Sequence, residues 1–283
     1  MSKLPFADLH VHSFFSDGTF SPQEILKIAE NCGVGLLAVA DHDTFEGSLK
    51  LCGISDKSEV ECVPAAEITC FENGHQVHVL CYRPDLTNAD FTAFVAEGRK
   101  KLDMMSVRLI DKMERSGIGV SIEEFDEFEY DRSGGGWKAL HYFIKKRLID
   151  TLFDGFPLYD IYGCGYETAG FPSVKTAIEK IHSANGIAVI AHPGVSIQTE
   201  DKKLFLAELR QFLAYGADGV ECFYPEHSEE ITGLCERLCD EKGLLKTCGS
   251  DCHGLFNSHP LGVPRKEISS LRLEGIIHKT DKM

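Results

Sequence analysis

Long apolar runs are missing from this chain. None approaches the roughly 20 residues that a helix needs to cross a bilayer, which argues against a membrane-spanning protein. No basic-then-apolar leader opens the sequence, so a cytoplasmic location is expected. Positive charge is scarce: 29 Lys and Arg face 44 Asp and Glu, a net charge of −15. A broad nucleic-acid-binding face needs the opposite balance. A phosphorylated substrate stays compatible if bound cations supply positive charge locally. The two-residue cysteine gap of a zinc ribbon is absent too, since Cys235/Cys239 and Cys248/Cys252 stand four apart. With eleven cysteines and no leader, reduced thiols are expected rather than a disulfide framework. Repeats and low-complexity tracts are lacking, and 283 residues at 43 % hydrophobic can bury one large core, with or without an insertion.

What the chain does have is a series of short apolar runs that end in residues able to bind metal. "FADLHVH" carries His10 and His12, "GLLAVADHD" reaches His42 between Asp41 and Asp43, and "VECVPAAEIT" reaches Glu67. "HQVHVLCY" holds His78, "GIAVIAHPG" ends at His192, "DGVECF" contains Glu221, and "LLKTCGSDCHG" ends at Asp251 and His253. Such Val/Ile/Leu/Ala runs suit strands buried on both faces of a parallel sheet. Helical periodicity fills the gaps. "SPQEILKIAENCG" begins with Ser21 as cap, Pro22 at the first position and Glu24 three residues on, and stops at Gly33. "SVKTAIEKIHSANG", "LFLAELRQFLAYG" and "EEITGLCERLCDEKG" repeat the pattern with terminal glycines. Alternating strands and helices with short links imply right-handed crossovers and a mostly parallel sheet, an α/β fold.

Residues 84–170 break this rhythm. "DFTAFVAEGRKKLDMMSVRLIDKMERSG" reads as one long amphipathic helix, followed by an acidic stretch, the glycine hinge "SGGG" and a second helix. The expected organisation is a barrel domain from 1–83 and 171–283, with 84–170 inserted as a mainly helical cap that carries substrate choice.

Side chains alternate along a strand, so His10 and His12 face one way and Leu9 and Val11 the other. Asp251 and His253 share that spacing. Any one of these histidines could be an ordinary core imidazole. However, His10, His12, His42, His192 and His253 all lie at the ends of apolar runs, and the ends of parallel barrel strands converge on one face. With Asp17, Glu67, His78 and Asp251 beside them, a shared metal centre is the better reading. Imidazole with carboxylate suits Zn, Mn or Fe. Nine candidate ligands exceed the needs of one ion, so two or three divalent ions are expected, with Glu67 as the bridging carboxylate.

Taken in order, "DLHVHSFFSDG", "ADHDT", "AAEIT" with "VHVLCY", "AHPG" and "SDCHG" resemble the PHP (polymerase and histidinol phosphatase) family of phosphoesterases, most of all its small stand-alone TrpH/YciV-like branch. The resemblance covers residues 4–82 and 171–262. It implies a distorted (β/α)7 barrel with a trinuclear site. One ion would take His10, His12, Glu67 and Asp251; the second would share Glu67 and add His78 and His192; the third would use Asp17, His42 and His253. The activity implied is metal-dependent hydrolysis of phosphate esters by an activated hydroxide. The substrate would be a small phosphorylated metabolite, a nucleotide or a short nucleic-acid end, with histidinol phosphate as a family alternative. No membrane or obligate protein partner is expected.

Relatives in that branch often carry an Arg-Pro-His stretch in the insertion, where this chain reads "SGGGWKALHYF". Lys138 is a candidate phosphate contact and Trp137 a stacking surface, against the plainer reading of a solvated lysine and a packed aromatic. His141 and Arg265 are further substrate-binding candidates, and His259 is a candidate proton donor. Asp41 and Asp43 either orient ligand imidazoles or cap the following turn. His75, by alternation, faces away from His78; His182, His227 and His278 receive ordinary structural roles. Two rival readings fit the residues less well. An amidohydrolase-like C–N hydrolase would use a carboxylated lysine, and no lysine is suitably placed. A decayed metal-holding module would have lost ligands, and none of the nine positions is vacant.

Overall fold

The computed structural model describes residues 4–277. It opens with β1 (Phe6–Val11), α1 (Pro22–Cys32), β2 (Val34–Val39), α2 (Glu46–Ile54), β3 (Glu61–Cys62), β4 (Ala65–Glu72) and β5 (His75–Tyr82). Five helices follow: α3 (Ala89–Arg115), α4 (Ile122–Glu127), α5 (Lys138–Lys145), α6 (Phe156–Ile161) and α7 (Tyr166–Ala169). Alternation resumes with α8 (Val174–Ser183), β6 (Ile187–Ile190), α9 (Pro193–Ser196), α10 (Lys202–Ala214), β7 (Gly219–Phe223), α11 (Glu229–Lys242) and β8 (Leu245–Cys248), and ends on β9 (Lys266–Glu267).

The caps legible in the sequence set these boundaries. The Ser21 hydroxyl accepts the Glu24 N–H, the Glu24 carboxylate accepts the Ser21 N–H at 2.8 Å, and Gly33 at φ 79° closes α1. Ser173 caps α8, and α11 runs from the Ser228 cap to Gly243 at φ 69°.

The strands form two sheets, in the orders β3-β2-β1-β9 and β4-β5-β6-β7-β8. The pairs β1–β2, β2–β3, β6–β7 and β7–β8 are parallel, as expected. The pairs β4–β5 and β5–β6 are antiparallel, which departs from the expectation of crossovers throughout. The cause is local: Asn73 (φ 51°) and Gly74 (φ 89°) make a two-residue turn with both φ values positive, which folds β4 directly onto β5 as a hairpin. No closed barrel is formed among the described residues. Single parallel bridges, Val11 to Cys252 and His42 to Glu67, stitch the two sheets at their seams, next to the histidine-bearing strand ends.

The main core joins both sheets to the outer helices through Leu9, Leu36, Ile68, Val79, Val189 and Val220. Helices α3 to α6 enclose a separate apolar cluster around Leu109, Met113, Phe125, Leu140 and Phe143. The second helix expected in the insertion is shorter than its pattern, because α5 ends at Lys145 and Arg147 adopts φ 58°. Among the described residues no helix is long and apolar enough to cross a membrane, and all eleven cysteines are free thiols.

Candidate metal centre

Alternation on β1 carries His10 and His12 to one side, and both are fully buried. Their Nε2 atoms face each other at 3.1 Å. Two imidazole nitrogens so close can share a proton or a cation. Glu67, from β4, completes the approach: its Oε1 lies 3.2 Å from His10 Nε2 and its Oε2 3.3 Å from His12 Nε2. Asp251, just past β8, brings Oδ1 to 3.1 Å from His12 and 3.5 Å from His10. These four residues make one compact donor group.

Glu67 also anchors the second group. Its Oε1 lies 2.9 Å from His78 Nδ1 and 3.0 Å from His192 Nε2, while Oε2 lies 3.1 Å from His42 Nδ1. The third group gathers on Asp17, whose Oδ1 is 3.3 Å from His253 Nε2 and 3.6 Å from His12 Nδ1, and whose Oδ2 is 3.7 Å from His42 Nε2. All nine residues singled out in the sequence thus meet in one buried cluster. The partition differs in detail from the one the resemblance implies, since His42 stands between the second and third groups and His12 between the first and third.

Asp17 Oδ1, His42 Nδ1, Glu67 Oε2, His78 Nδ1 and Asp251 Oδ1 are buried and make no hydrogen bond. An unmet buried polar atom costs about 1–3 kcal/mol, and more when charged. Burial opposes charge on Glu67, but His78, His10 and His42 outweigh it and hold the carboxyl well below the usual carboxylate range. Burial also opposes protonation of His12, yet Asp251 and Glu67 raise it to about 10. On His42 burial prevails and lowers it to about 3. Three carboxylates, six imidazoles and five orphaned atoms are a donor set that fits divalent metal ions.

Surrounding groups fix the orientation of this set. Glu221 on β7 faces His10 Nδ1 at 3.2 and 3.3 Å, and its Oε2 accepts the His192 N–H at 2.8 Å. Asp41 accepts the Ser13 N–H at 2.7 Å and the Ser13 and Ser16 hydroxyls at 2.6 and 2.7 Å, and Ser16 in turn meets His12 Nδ1 at 3.3 Å. Asp41 therefore acts on His12 through Ser16. Asp43 accepts the Thr69 N–H at 3.3 Å and tethers the His42 turn to β4. Tyr224 donates to Asp251 Oδ2 at 3.0 Å, Ser196 meets His192 Nδ1 at 3.0 Å, and the Gln76 amide nitrogen meets His78 Nε2 at 2.6 Å. Asp43, His192 and Asp251 all take positive φ, at 48°, 23° and 50°. Such backbone costs on the order of 1–3 kcal/mol per residue. Over the cluster sits a cavity of about 200 Å³, lined by His42, Glu67, His78, His192, Tyr224 and Asp251 among others.

The candidate substrate residues separate. Trp137 lies over the site, its ring 5.9 Å from that of His42. Lys138 does not turn inward: its ammonium donates to the Asp126 carbonyl at 3.1 Å and rests 4.7 Å from the Phe125 ring. His141 stacks on Tyr130 at 4.6 Å and its Nε2 meets the Gly135 carbonyl at 2.7 Å, bracing the glycine loop. In that loop the Gly136 N–H donates to the Asp17 carbonyl at 2.7 Å. A Cβ on Gly135 would sit 2.8 Å from Phe256 and 2.9 Å from Thr19, so the close approach requires glycine. Arg265 stacks on Phe6 at 4.2 Å. Phe6 begins β1, about 20 Å of extended chain from His12, which removes Arg265 from the site. His259 pairs with Glu226 at 2.9 Å and meets Tyr224 edge-on at 5.6 Å, outside the cavity lining. His75, as expected, turns away to Glu208 at 3.0 Å. His278 lies outside the described residues. Sequence reasoning missed Tyr224, Gln76 and Ser196. Tyr224 directly follows β7, so the strand-end rule could have found it.

No protein-family model matches the chain. A solved structure from Bifidobacterium adolescentis, assigned as a metal-dependent phosphoesterase, superposes with a TM-score of 0.73 over 90 % of each chain at 23 % identity, a likeness of fold. A 5′-3′ exoribonuclease from Haemophilus influenzae is 30 % identical over 251 residues, covering 87 % of this chain and 89 % of that protein. The chain belongs to the PHP family of metal-dependent phosphoesterases. A second relative of this PHP enzyme, a phosphoribosyl 1,2-cyclic phosphate 1,2-diphosphodiesterase from Eggerthella lenta, is 26 % identical over 262 residues, covering 89 % of this chain and 96 % of that one.

Proposed function

We propose that this PHP enzyme hydrolyses a phosphate ester on a phosphorylated ribose unit: a mononucleotide, a nucleotide 3′,5′-bisphosphate or an oligonucleotide end. The two relatives named above act on substrates that share this unit, which supports the class. The observation that carries the reading is the first donor group. The buried nitrogens and oxygens of His10, His12, Glu67 and Asp251 crowd to 3.1–3.5 Å, with the charge and lone pairs of a cation site.

In this reading His10, His12, Glu67 and Asp251 hold one ion, Glu67 is shared with a second at His78 and His192, and Asp17, His42 and His253 hold a third. When bound, such ions supply Lewis acidity that activates water and neutralises phosphoryl charge. The protein's own residues do the positioning. Glu221 holds His10 Nδ1, Tyr224 fixes one oxygen of Asp251, and Ser16 steadies His12. Residues 84–170 act as a cap that closes over the ester and limits water, with Trp137 against His42 as its inner wall. The two stitched sheets serve as the halves of a distorted seven-stranded barrel whose rim carries the site.

The test is a metal-stripped sample assayed with added Mn or Zn. The substrates are mononucleotides, 3′,5′-bisphosphates, 5′-phosphorylated oligonucleotides and histidinol phosphate. Activity should vanish on stripping and return with metal, and His12→Ala should abolish it. Hydrolysis untouched by both interventions would sink the proposal.

A further inference from the structure

Beside the metal centre lies a second cavity, of about 180 Å³, that no step so far has used. Leu102, Met105 and Ser106 of α3 form one wall, Tyr159 and Tyr166 another, and Trp137 closes the side nearest the cluster. Trp137 ties it to the site, its ring standing 5.9 Å from that of His42. A group held in this cavity is therefore a near neighbour of an ester held over the metals.

The lining dictates what fits. Among the residues around the cavity none is basic, so a second phosphate has no counter-charge there. Aromatic and thioether side chains favour a flat, polarisable, uncharged ring. Ser106 is turned to the Tyr159 hydroxyl at 2.8 Å, so its polar atom is already occupied within the wall. Asp160 is the charged group at the mouth, exposed to solvent. A carboxylate accepts hydrogen bonds and donates none. The volume is that of roughly six waters at about 30 Å³ each, enough for one heterocycle and too small for a run of stacked bases.

We infer that this cap cavity is the specificity pocket of the enzyme: it receives the nucleobase of the substrate, stacked on Trp137, and favours a ring whose exocyclic amine can donate to Asp160. The inference rests on the phosphoesterase reading for its place in catalysis, but the pocket's affinity for a base does not. Trp137 is the single tryptophan of the chain, so its fluorescence reports occupancy without any ester being cleaved.

Adenosine, purine riboside and ribose are titrated against the full-length protein, with and without Mn, while Trp137 emission is followed. Adenosine should change the emission saturably, purine riboside (the same ring without its amine) more weakly, and ribose not at all. Ser106→Phe, which pushes a ring into the cavity, should weaken adenosine binding by roughly ten- to hundredfold, the loss expected when a base–aromatic stack is blocked. Asp160→Ala, at the exposed mouth and harmless to packing, should bring adenosine down to the level of purine riboside. In hydrolysis, the ratio of kcat/KM for AMP over ribose 5-phosphate should fall about tenfold or more in Ser106→Phe. No saturable response to adenosine at millimolar concentrations, or equal AMP to ribose 5-phosphate ratios in wild type and Ser106→Phe, overturns the pocket while leaving the phosphoesterase intact. Saturable adenosine binding without hydrolysis of any ester supports the pocket and refutes the phosphoesterase reading instead.

Discussion

Glu221 offers the sharpest test of how the metal centre is held, because it is fully buried yet has no place in the donor set itself. One carboxylate serves two donors. His10 Nδ1 lies 3.2 and 3.3 Å from its oxygens, and the His192 N–H donates to Oε2 at 2.8 Å. Glu221→Gln keeps the shape but has one acceptor oxygen instead of two. With that oxygen kept on the His192 N–H, the amide NH₂ takes the other position, 3.2 Å from His10 Nδ1, and leaves His10 only the shared oxygen at 3.3 Å. Leaving one buried donor unmet costs about 1–3 kcal/mol of stability. The loss of charge behind His10 also makes its Nε2 a poorer ligand, and such supporting groups are worth about 10–100-fold in metal affinity or activity. At about 1.4 kcal/mol per tenfold, that is about 1.4–2.8 kcal/mol. The assay pairs urea denaturation in chelator with Mn titration of the stripped protein. Both stability and Mn affinity should fall. A loss of stability alone would make Glu221 a packing residue, and Mn affinity within about twofold of wild type would refute the orienting role.

Further outcomes follow from the same geometry. Gly98→Ala should destabilise by about 1–3 kcal/mol in thermal or urea melts, as overpacking does, even though alanine ordinarily favours a helix. The added Cβ would meet Asp43 Oδ1 at 2.4 Å, where α3 presses on the His42 turn; a stabilised variant would disprove that contact. Lys138→Ala should leave kcat/KM for every accepted ester within about threefold, because its ammonium is turned to Asp126; a tenfold loss would restore it as a phosphate contact. Ser21→Ala should cost about 1 kcal/mol at neutral pH. Hydrogen bonds from Ser21 hold the Glu24 carboxyl below its ordinary value, so their contribution is present above the unfolded carboxyl range and is lost as pH falls through the folded one. The stability gap between wild type and Ser21→Ala should therefore narrow in acid, and a constant gap from pH 7 to about 3 would contradict the capping box.

The site was more legible than the sheet. A strand has period two and parallel strands share a direction, so residues at run ends could be assigned to one rim without knowing strand order. That is why His10, His12, His42, His192 and His253 could be placed together although as many as 243 positions separate them, whereas His78 lies on the antiparallel β5 and Asp17 beyond β1. The hairpin between β4 and β5 was written locally, in the Asn73-Gly74 pair, and was overridden by the strength of the alternating pattern elsewhere. Lys138 and Arg265 were misplaced for a different reason. A long cationic side chain reaches several ångströms in any direction, and only tertiary packing decides that one lies on Phe125 and the other on Phe6. Glu221 could be read from its strand as a neighbour of the ligands, but that it faces His10, and that Tyr224 faces Asp251, depends on partners supplied by distant strand ends.

The charge balance gives the metal centre a role before any bond is broken. The protein is acidic overall, at −15, and three of its carboxylates, Asp17, Glu67 and Asp251, gather at the site. No lysine or arginine lines the cavity above them. A phosphate ester approaching the bare cluster would meet repulsion in a region of low dielectric, where charge interactions are strongest. Divalent ions held by this donor set would offset the three carboxylates and so oppose that repulsion. Cations bound there would therefore serve substrate binding as well as chemistry, while the net charge of −15 disfavours long-range attraction of polyanions to the rest of the chain. An acidic chain can act on phosphate esters in this way, with its positive charge confined to the centre of its own ligands.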